Sequence, residues 1–491
     1  MYFNYTTPES AGISSKNVLK LLRVFERYGF RTHSVIMARE NKIFLEAYYK
    51  PFNRDFKHRM YSVSKSFVAI AMGFAIEEGL VSLDDKMTDY FKEYHNDKTN
   101  DILCDATIRD FLTMQTAQSD SVNWFNKGSS DRADVYFWRT GDKIPGTLWR
   151  YDSPGSYMLG AIVEQVTGMP FLEYLKKKCL NDIGFSKDAY CLMAPGKYSF
   201  GDSGVMCTSL DLLHFARFVM NGGTWQGKEY MRTDYIKDAV KPLVANVNNT
   251  NRTYNAYGYG YQIWGAPEGG FAFIGMGDQF AICHPDTDFI FIINSDNQGY
   301  AVSRELMYYE LYNSIIHEFK DFLPEDDEAY KELTSYVSGL ELFSLEDKGD
   351  NDFAKIVSGR TYYLNENPMN IEYVRLDFEG KRGTLSYKNL QGEKQLTFGL
   401  GYNEFTKFPE EGYSDMVATE FKSGHYYDAA VSADWLEEKK LRIFTQIIDK
   451  YFGNTTFILS FKNNSVTIEM TKTAENFLNE YQGQAIGFAK E

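Results

Sequence analysis

Ser62-Val63-Ser64-Lys65 is the stretch that decides the fold, and it stands just before an unbroken apolar run, Phe67-Val68-Ala69-Ile70-Ala71-Met72-Gly73-Phe74-Ala75-Ile76. The run ends at Glu77-Glu78-Gly79, which is typical of the end of a helix. The sequence therefore predicts a helix that begins near Ser62 and is buried on every side. Its length suits a core helix and falls short of a membrane span.

Ser62 and Lys65 are three residues apart, so they share one face of the first turn of this helix. A serine hydroxyl needs a base before it can act as a nucleophile, and a lysine ammonium in a dry site gives up its proton more easily. The helix N-terminus also favours negative charge that develops nearby. A serine at a helix start is more often a cap, so the pair needs support from the rest of the chain.

Composition excludes several classes of protein. The chain has 491 residues, of which 44% are hydrophobic, and this is enough for two or three domains. A net charge of −15 without a basic run argues against nucleic acid and membranes as partners. The five cysteines are scattered without a C-x-x-C pair, which favours free thiols over a zinc site. We expect no metal and no cofactor.

The N-terminal sequence Met1-Tyr2-Phe3-Asn4-Tyr5-Thr6-Thr7-Pro8 has neither a basic start nor an apolar core. It therefore lacks the features of a signal peptide, and no apolar stretch of the sequence reaches transmembrane length. Together with the cysteine pattern, this predicts a cytoplasmic protein.

Residues 1–322 begin with strands, pass through helices and return to strands. The simplest arrangement is an α+β domain in which helices flank one antiparallel sheet, with an inserted helical region and with the two ends of the segment paired in that sheet. We predict a hairpin over 33–50, helices over 156–166, 210–220 and 302–322, and strands over 257–264, 271–274, 279–284 and 289–294.

An acidic stretch at 323–328 marks the start of a predicted linker over 323–350. From 351 to 491 about eight strand-like segments alternate with turns, followed by a predicted helix near 474–481. A second, all-β domain that closes as a small barrel or curved sheet accounts for this pattern.

Several further segments accompany the serine–lysine pair. In chain order they are Pro8-Glu9-Ser10-Ala11-Gly12-Ile13, Tyr151-Asp152-Ser153, Met206-Cys207-Thr208-Ser209-Leu210-Asp211-Leu212, Gly258-Tyr259-Gly260-Tyr261 and Gly275-Met276-Gly277-Asp278-Gln279. With Ser62-Val63-Ser64-Lys65, they make the chain resemble the serine β-lactamase and penicillin-binding-protein superfamily over about residues 8–320. The resemblance is to its class C β-lactamase, esterase and D-aminopeptidase branch.

This resemblance implies that Ser62 is the nucleophile and forms an acyl-enzyme. Lys65 and Tyr151 would take its proton and pass it to the leaving group. The backbone N–H groups of Ser62 and Met276 would form an oxyanion hole. The activity implied is hydrolysis of a small ester or amide, such as a short-chain ester, a D-amino-acid peptide or amide, or a β-lactam.

The remaining site residues follow from the same resemblance. Gly275 would let the backbone approach a ligand closely, and Ser153 would contact the substrate. Trp124 could line the cleft, with a place in the core equally open.

Two positions depart from the family pattern. Phe273-Ile274-Gly275 stands where the family's third motif begins with Lys or His, so a cation for a substrate carboxylate is missing. Ser153 replaces the Asn of the Y-x-N element, and a hydroxyl replaces only one hydrogen bond of an amide. The missing cation favours an ester or amide with a neutral end, and Ser153 removes an amide that usually contacts the substrate and the lysine.

The alternative to a serine hydrolase is a catalytically weak, penicillin-binding-like protein that binds ligands as a sensor. A third hypothesis makes the C-terminal, lipocalin-like barrel the functional part. By resemblance to D-aminopeptidases, the barrel would cap the cleft or support a homo-oligomer.

Three other features are assigned no catalytic role. Gly201-Asp202-Ser203-Gly204 matches the nucleophile motif of trypsin, but no disulfide framework or histidine segment supports that match. His214, on a predicted helix, and His284, at a hairpin turn, are assigned structural roles.

Overall fold

The computed structural model describes residues 2–94, 101–118, 131–137, 141–247, 253–347, 349, 351–411, 423–475 and 477–490. The chain divides into two compact units, Met1–Glu341 and Leu342–Glu491.

Helices of the first unit surround the buried helix that the sequence predicts. Residues Ser64 to Ala75 of this helix are all buried, because its apolar residues occupy every side. The predicted helices at 156–166 and 210–220 are also present, whereas the helix predicted over 302–322 ends at Ser314. The α-helices are α1 (Ser15–Arg27), α2 (Ser64–Glu77), α3 (Asp101–Cys104), α4 (Ile108–Leu112), α5 (Arg132–Phe137), α6 (Ser153–Thr167), α7 (Phe171–Leu175), α8 (Ser209–Met220), α9 (Thr233–Val240), α10 (Ser303–Ser314) and α11 (Asp327–Ser338).

Seven strands of the first unit form its main sheet, in the order β1-β3-β2-β12-β11-β10-β9. The pairings are antiparallel except at the two-residue edge strand β1, which runs parallel to β3. The strands are β1 (Asn4–Tyr5), β2 (Thr32–Arg39), β3 (Lys42–Tyr48), β4 (His58–Arg59), β5 (Tyr190–Cys191), β6 (Val205–Cys207), β7 (Thr224–Trp225), β8 (Lys228–Glu229), β9 (Trp264–Gly265), β10 (Phe271–Gly275), β11 (Gln279–His284) and β12 (Phe289–Ser295).

The two ends of the first unit meet at the centre of this sheet, as predicted. β2 pairs with β12, with Val35 opposite Ile293 and Met37 opposite Phe291. These side chains belong to one buried core with Leu22 of α1 and other residues of α1 and α10, while α8 packs on β2, β11 and β12. The sheet is therefore covered by helices, and β10, which lies between β11 and the edge strand β9, is fixed in the core.

The strand predicted over 257–264 is wrong except at its last residue, where β9 begins. Gly258 and Gln262 have left-handed backbones, with φ of 87° and 57°, so the chain turns instead of extending. A Cβ on Gly260 would lie 2.1 Å from the carbonyl oxygen of Ala239, which shows how tightly this turn packs.

Residues 323–350, predicted as a linker, include α11, and this helix packs on α1. Asp326 caps α11 by accepting a hydrogen bond from the Ala329 N–H, 3.0 Å away. The domain boundaries at 322 and 351 stay a prediction.

The second unit is a closed barrel with one short helix, α12 (Phe353–Val357). Nine strands form the ring, and a parallel contact of β16 with β18 closes it, with Gly399 opposite Ser432. β17 pairs with β18 outside the ring. The strands are β13 (Thr361–Leu364), β14 (Tyr373–Glu379), β15 (Arg382–Asn389), β16 (Gly392–Leu400), β17 (Glu404–Glu411), β18 (Tyr426–Glu437), β19 (Lys440–Ile448), β20 (Phe452–Lys462), β21 (Ser465–Thr473) and β22 (Gly483–Ala489).

The barrel prediction is confirmed, but the helix predicted near 474–481 is wrong. The described residues there form turns, and Leu478 has a φ of 60°, which a helix does not allow.

Candidate functional site

Ser62 lies where a short strand turns into α2. β4 ends at Arg59, and a single 3₁₀ turn, Tyr61–Val63, leads into the helix at Ser64. Tyr61 has a φ of 46°, a conformation that a bulky residue rarely adopts. The guanidinium of Arg59 lies 4.3 Å from the centre of the Tyr61 ring and helps to hold this bend. Ser62 is consequently presented, half-buried, at the N-terminus of a rigid helix.

Lys65 is directed at Ser62 from one turn further along. Its Nζ donates a hydrogen bond to Ser62 Oγ at 3.0 Å and another to the carbonyl oxygen of Asp202 at 2.6 Å. The lysine is 1% exposed, and its amino group is thus held by one hydroxyl and one backbone carbonyl. The contact places the amine within proton-transfer reach of the serine hydroxyl, from which a neutral amine would accept a hydrogen bond.

Tyr151 completes the predicted trio. The Nζ of Lys65 lies 5.1 Å from the centre of the Tyr151 ring. The ring stacks on Trp264 with 5.5 Å between centroids, and Trp149 packs against the same pair. The structure therefore brings Ser62, Lys65 and Tyr151 to one place, with aromatic side chains behind the tyrosine.

Ser153, the first residue of α6, is half-buried directly after this tyrosine. The intervening Asp152 points elsewhere, and its carboxylate accepts a hydrogen bond from the Thr116 hydroxyl at 2.7 Å. Asp152 thereby fixes the start of α6.

Gln262 joins the helices around the site, a role that no sequence pattern indicates. Its Nε2 donates to the carbonyl of Phe111 at 2.8 Å, and its Oε1 accepts from the Ser156 hydroxyl at 2.6 Å. Its own carbonyl accepts from the Ser66 hydroxyl at 2.9 Å. One buried residue thus ties α2, α4 and α6 together.

The turn between β10 and β11 approaches the serine from the sheet. A Cβ on Gly275 would lie only 2.4 Å from the carbonyl oxygen of Met60, two residues before Ser62. Only glycine allows this approach. Met276 follows, half-buried, at the point where the resemblance requires an N–H donor.

A buried polar network supports the turn between β10 and β11. The Ser295 hydroxyl donates to the carbonyl of Gly277 at 2.6 Å. The carboxylate of Asp278 accepts from Asn297 Nδ2 at 3.1 Å and pairs with Arg304 at 3.5 Å. These contacts join residues that are distant in sequence, which is why sequence patterns did not reveal them.

Phe273 occupies the position where the family has a cation. It is fully buried and packs against Phe215 of α8, with 5.3 Å between ring centroids. This position is therefore part of the hydrophobic core.

Asp202, from a motif that was assigned no catalytic role, lies beside Lys65. Its carboxylate is 3% exposed and lies 3.9 Å from Arg132 Nη1. Burial raises the pKa of this carboxyl, while the charges of Arg132 and Lys65 act in the opposite direction. Arg59 donates from Nε to the neighbouring carbonyl of Ser203 at 2.9 Å.

The two histidines that were assigned structural roles each contact one polar group of the protein. His214 lies 3.1 Å from the carbonyl of Gly184, and His284 lies 2.9 Å from the Thr287 hydroxyl. Trp124 lies outside the described residues.

The comparison with protein families agrees with this geometry. A family model described as Beta-lactamase matches residues 19–311, which is more than half of the chain. The chain belongs to the beta-lactamase family. Proteins named as hydrolases are among the relatives that the chain matches.

A curated relative is the 6-aminohexanoate-dimer hydrolase of Paenarthrobacter ureafaciens. It is 25% identical over 228 residues, which is 43% of this chain and 57% of that protein. The beta-lactamase-family chain thus matches less than two thirds of the length of this relative.

Two solved structures share the fold. A penicillin-binding protein homologue from Caulobacter crescentus has a TM-score of 0.51 at 16% identity and covers 63% of this chain and 99% of its own. The D-amino acid amidase of Ochrobactrum anthropi SV3 has a TM-score of 0.50 at 13% identity and covers 62% and 99%.

Two features are absent from the described residues. These residues contain no group of three or more His, Cys, Asp or Glu side chains arranged to hold a metal ion. Within the same part of this beta-lactamase-family chain, no helix has the length and apolarity needed to cross a membrane.

Proposed function

We propose that this protein is a serine hydrolase that cleaves a small ester or amide through an acyl-enzyme on Ser62. The observation that carries the proposal is the 3.0 Å hydrogen bond from Lys65 Nζ to Ser62 Oγ inside a buried site. A lysine held this way can be the base for the hydroxyl, and the neighbouring Tyr151 can share the proton.

In the acylation step, Ser62 Oγ attacks the carbonyl carbon of the substrate, and its proton moves to the neutral amino group of Lys65. The carbonyl oxygen becomes an oxyanion, which we assign to the backbone N–H groups of Ser62 and Met276. The bond to the leaving group then breaks, and the proton passes to the leaving oxygen or nitrogen through Lys65 and Tyr151.

Deacylation repeats this sequence with water. A water molecule gives a proton to the same basic pair and attacks the acyl carbon, and the ester bond to Ser62 Oγ breaks as the oxygen recovers a proton. The products are a carboxylic acid and the free serine. The steps use side chains that the fold already holds in contact.

For the substrate, we propose a small ester or linear amide with a neutral end. Phe273 is buried in the core, so this position supplies no charge for a substrate carboxylate. The names of two relatives, a 6-aminohexanoate-dimer hydrolase and a D-amino acid amidase, favour an amide over an ester as the substrate.

A catalytically weak ligand-binding protein is the second candidate. The same two departures favour it, since Phe273 and Ser153 remove groups that usually hold the substrate. This candidate predicts that ligands bind without forming a covalent bond to Ser62.

The deciding experiment is intact-protein mass spectrometry after treatment with a fluorophosphonate, from which an activated serine displaces fluoride. We expect one adduct on the wild type and none on Ser62→Ala. Ser338→Ala, the same substitution on the surface of α11, is the matched control and should be labelled like the wild type. An unlabelled wild type would reject the hydrolase and favour the binding protein.

The substrate class is tested next on the same preparations. We expect release of p-nitrophenol from short-chain esters or of ammonia from D-aminoacyl amides by the wild type but not by Ser62→Ala. Turnover confined to substrates with a free carboxylate would contradict the neutral-end assignment.

A further inference from the structure

A chain of buried side-chain amides and hydroxyls ends at the turn between β10 and β11. Gln279, the first residue of β11, is fully buried. Its Nε2 donates hydrogen bonds to the carbonyl oxygen of Met276, at 3.2 Å, and to the carbonyl oxygen of Ser295. Its Oε1 accepts from Asn294 Nδ2 of β12 at 3.0 Å. Both polar atoms of the Gln279 amide are thus engaged, and one of them holds the backbone of Met276.

The far end of this chain of contacts determines how both amides are oriented. Asn294 Oδ1 accepts hydrogen bonds from the hydroxyls of Ser209 in α8, at 2.7 Å, and of Ser34 in β2, at 3.2 Å. Because an amide oxygen only accepts, these two donors leave Asn294 Nδ2 directed towards Gln279 Oε1. Gln279 Nε2 therefore faces Met276, and the sheet itself fixes the direction of the hydrogen bond to the Met276 carbonyl.

The turn that receives this support has an unfavourable backbone. Gly277 and Asp278 both adopt left-handed conformations, with φ of 74° and 67°. Two such residues in succession, one of them not a glycine, keep this shape only when surrounding groups fix it. The glycine after Met276 also allows the peptide between them to rotate more freely than a larger residue would. The hydrogen bond from Gln279 Nε2 to the Met276 carbonyl opposes this rotation.

The same amides also reach the segment that carries Ser62. Asn294 Nδ2 donates a weak hydrogen bond to Met60 Sδ at 3.8 Å, and Met60 stands two residues before Ser62. On the turn side, Gly275 approaches this segment so closely that a Cβ there would lie 2.4 Å from the Met60 carbonyl oxygen. Gln279 and Asn294 therefore contact both segments that carry the proposed oxyanion donors.

We propose that Gln279 is a positioning residue for the oxyanion hole and holds the Met276 backbone so that its N–H stays directed at the reacting oxygen. The proposal rests on the proposed function, because the hole has a role only if Ser62 forms an acyl-enzyme. Gln279 is fully buried, so it acts through Met276 and not by touching the substrate. It should therefore affect the chemical step more than the binding of the substrate.

The experiment measures how fast a fluorophosphonate modifies Ser62 at a series of concentrations. This separates the maximal rate constant, kinact, from the concentration that gives half of it, KI. Gln279→Met keeps the length of the side chain but donates no hydrogen bond. We expect its kinact to fall about 10- to 100-fold, less than the loss of a whole oxyanion donor, with KI unchanged. Gln279→Asn, whose amide is one methylene shorter and does not reach the Met276 carbonyl, should lower kinact as well.

Gln446→Met is the matched control. Gln446 is a buried residue of the barrel, and its Nε2 likewise donates to a backbone carbonyl, that of Phe343, at 2.8 Å. Gln279→Met and Gln446→Met each remove one buried amide, so both should lower the melting temperature. Only Gln279→Met should lower kinact. A merely structural role for Gln279 would lower both melting temperatures and leave both kinact values at that of the wild type.

Three outcomes would overturn the proposal: a folded Gln279→Met protein with the wild-type kinact, a fall in kinact that Gln446→Met shares, or a loss that appears only in KI. If Gln279→Met does not fold, as judged by circular dichroism, Gln279→Asn decides in its place. Failure of the proposed function looks different, since the wild type would then form no adduct on Ser62.

Discussion

Replacing Gly275 by alanine should push the end of β10 away from the segment that carries Ser62. A Cβ at this position would lie 2.4 Å from the carbonyl oxygen of Met60 and 3.1 Å from the Cβ of Gln279. Ordinary contacts begin at 3.4 Å, so one of the two backbone segments must move by about 1 Å. The atom in the way belongs to the backbone, and a side-chain rotation cannot relieve the contact.

The size of the effect follows from this displacement. Overpacking of this kind costs about 1–3 kcal/mol of stability. A displacement of about 1 Å between reacting groups costs on the order of 100-fold in rate. Because the proposed oxyanion donors are the N–H groups of Ser62 and Met276, moving β10 by this amount separates them. We therefore expect modification of Ser62 to slow about 100-fold, with a smaller loss in thermal stability.

The assay is the rate of fluorophosphonate modification, followed by mass spectrometry, together with a thermal melt. Gly160→Ala in α6 is the matched control, because the Cβ there would meet its neighbours at 3.5 Å or more. This control should keep the wild-type rate and gain up to about 1 kcal/mol as a helix interior glycine is replaced. A folded Gly275→Ala protein that reacts at the wild-type rate would refute the reasoning.

Three further predictions concern other parts of the molecule. Tyr151→Phe should slow modification of Ser62 by about 100- to 10,000-fold, since it removes the proposed proton carrier; a wild-type rate in this variant would exclude that role. Burial lowers the pKa of His58 to about 3, so acidification from pH 6.5 to 5 should cost about 2 kcal/mol in urea unfolding. Because the imidazole must be neutral in the folded state, His58→Asn should reduce this pH dependence, and the part due to the buried His33, whose pKa burial also lowers, should remain. The half-exposed control His317→Asn should leave it unchanged; an equal slope in both variants would refute the assignment. In the barrel, the fully buried carboxylate of Glu410 lies 3.3 Å from the ammonium of Lys394. Glu410→Leu should therefore lower the free energy of unfolding by about 3–5 kcal/mol, because it leaves a buried cation without its carboxylate, and adding Lys394→Met should restore most of this stability. No recovery in the double variant would show that the charge pair is not the cause.

Much of the fold could be predicted because its patterns are local. The apolar run after Lys65 predicts a helix that is buried all round, and α2 is such a helix. The start of α8 could be predicted as well, since Thr208 and Asp211 form a capping box there. The strand predicted over 257–264 failed because left-handed residues interrupt it, and a non-glycine residue such as Gln262 gives no sign of that conformation in the sequence.

In the candidate site, too, contacts between residues close in sequence could be predicted, whereas contacts between distant residues could not. Ser62 and Lys65 share one helix turn, so their contact follows from their spacing. The contact of Lys65 with Asp202 joins positions 137 residues apart, and only the folded chain establishes it. Arg132 has no local pattern that links it to Asp202, although a buried arginine always needs such a partner.

The sheet order also determines when the first unit can form during synthesis of the chain. β2 emerges from the ribosome early and is incomplete without β12, which ends at Ser295. The turn after Gly275 that faces Ser62 likewise arrives more than two hundred residues after the nucleophile. At ribosomal speeds of about 5–20 residues per second, this gap corresponds to on the order of ten to fifty seconds. During that interval the nascent chain carries Ser62 and Lys65 without the turn that faces them, so under the proposed function the unfinished protein is inert.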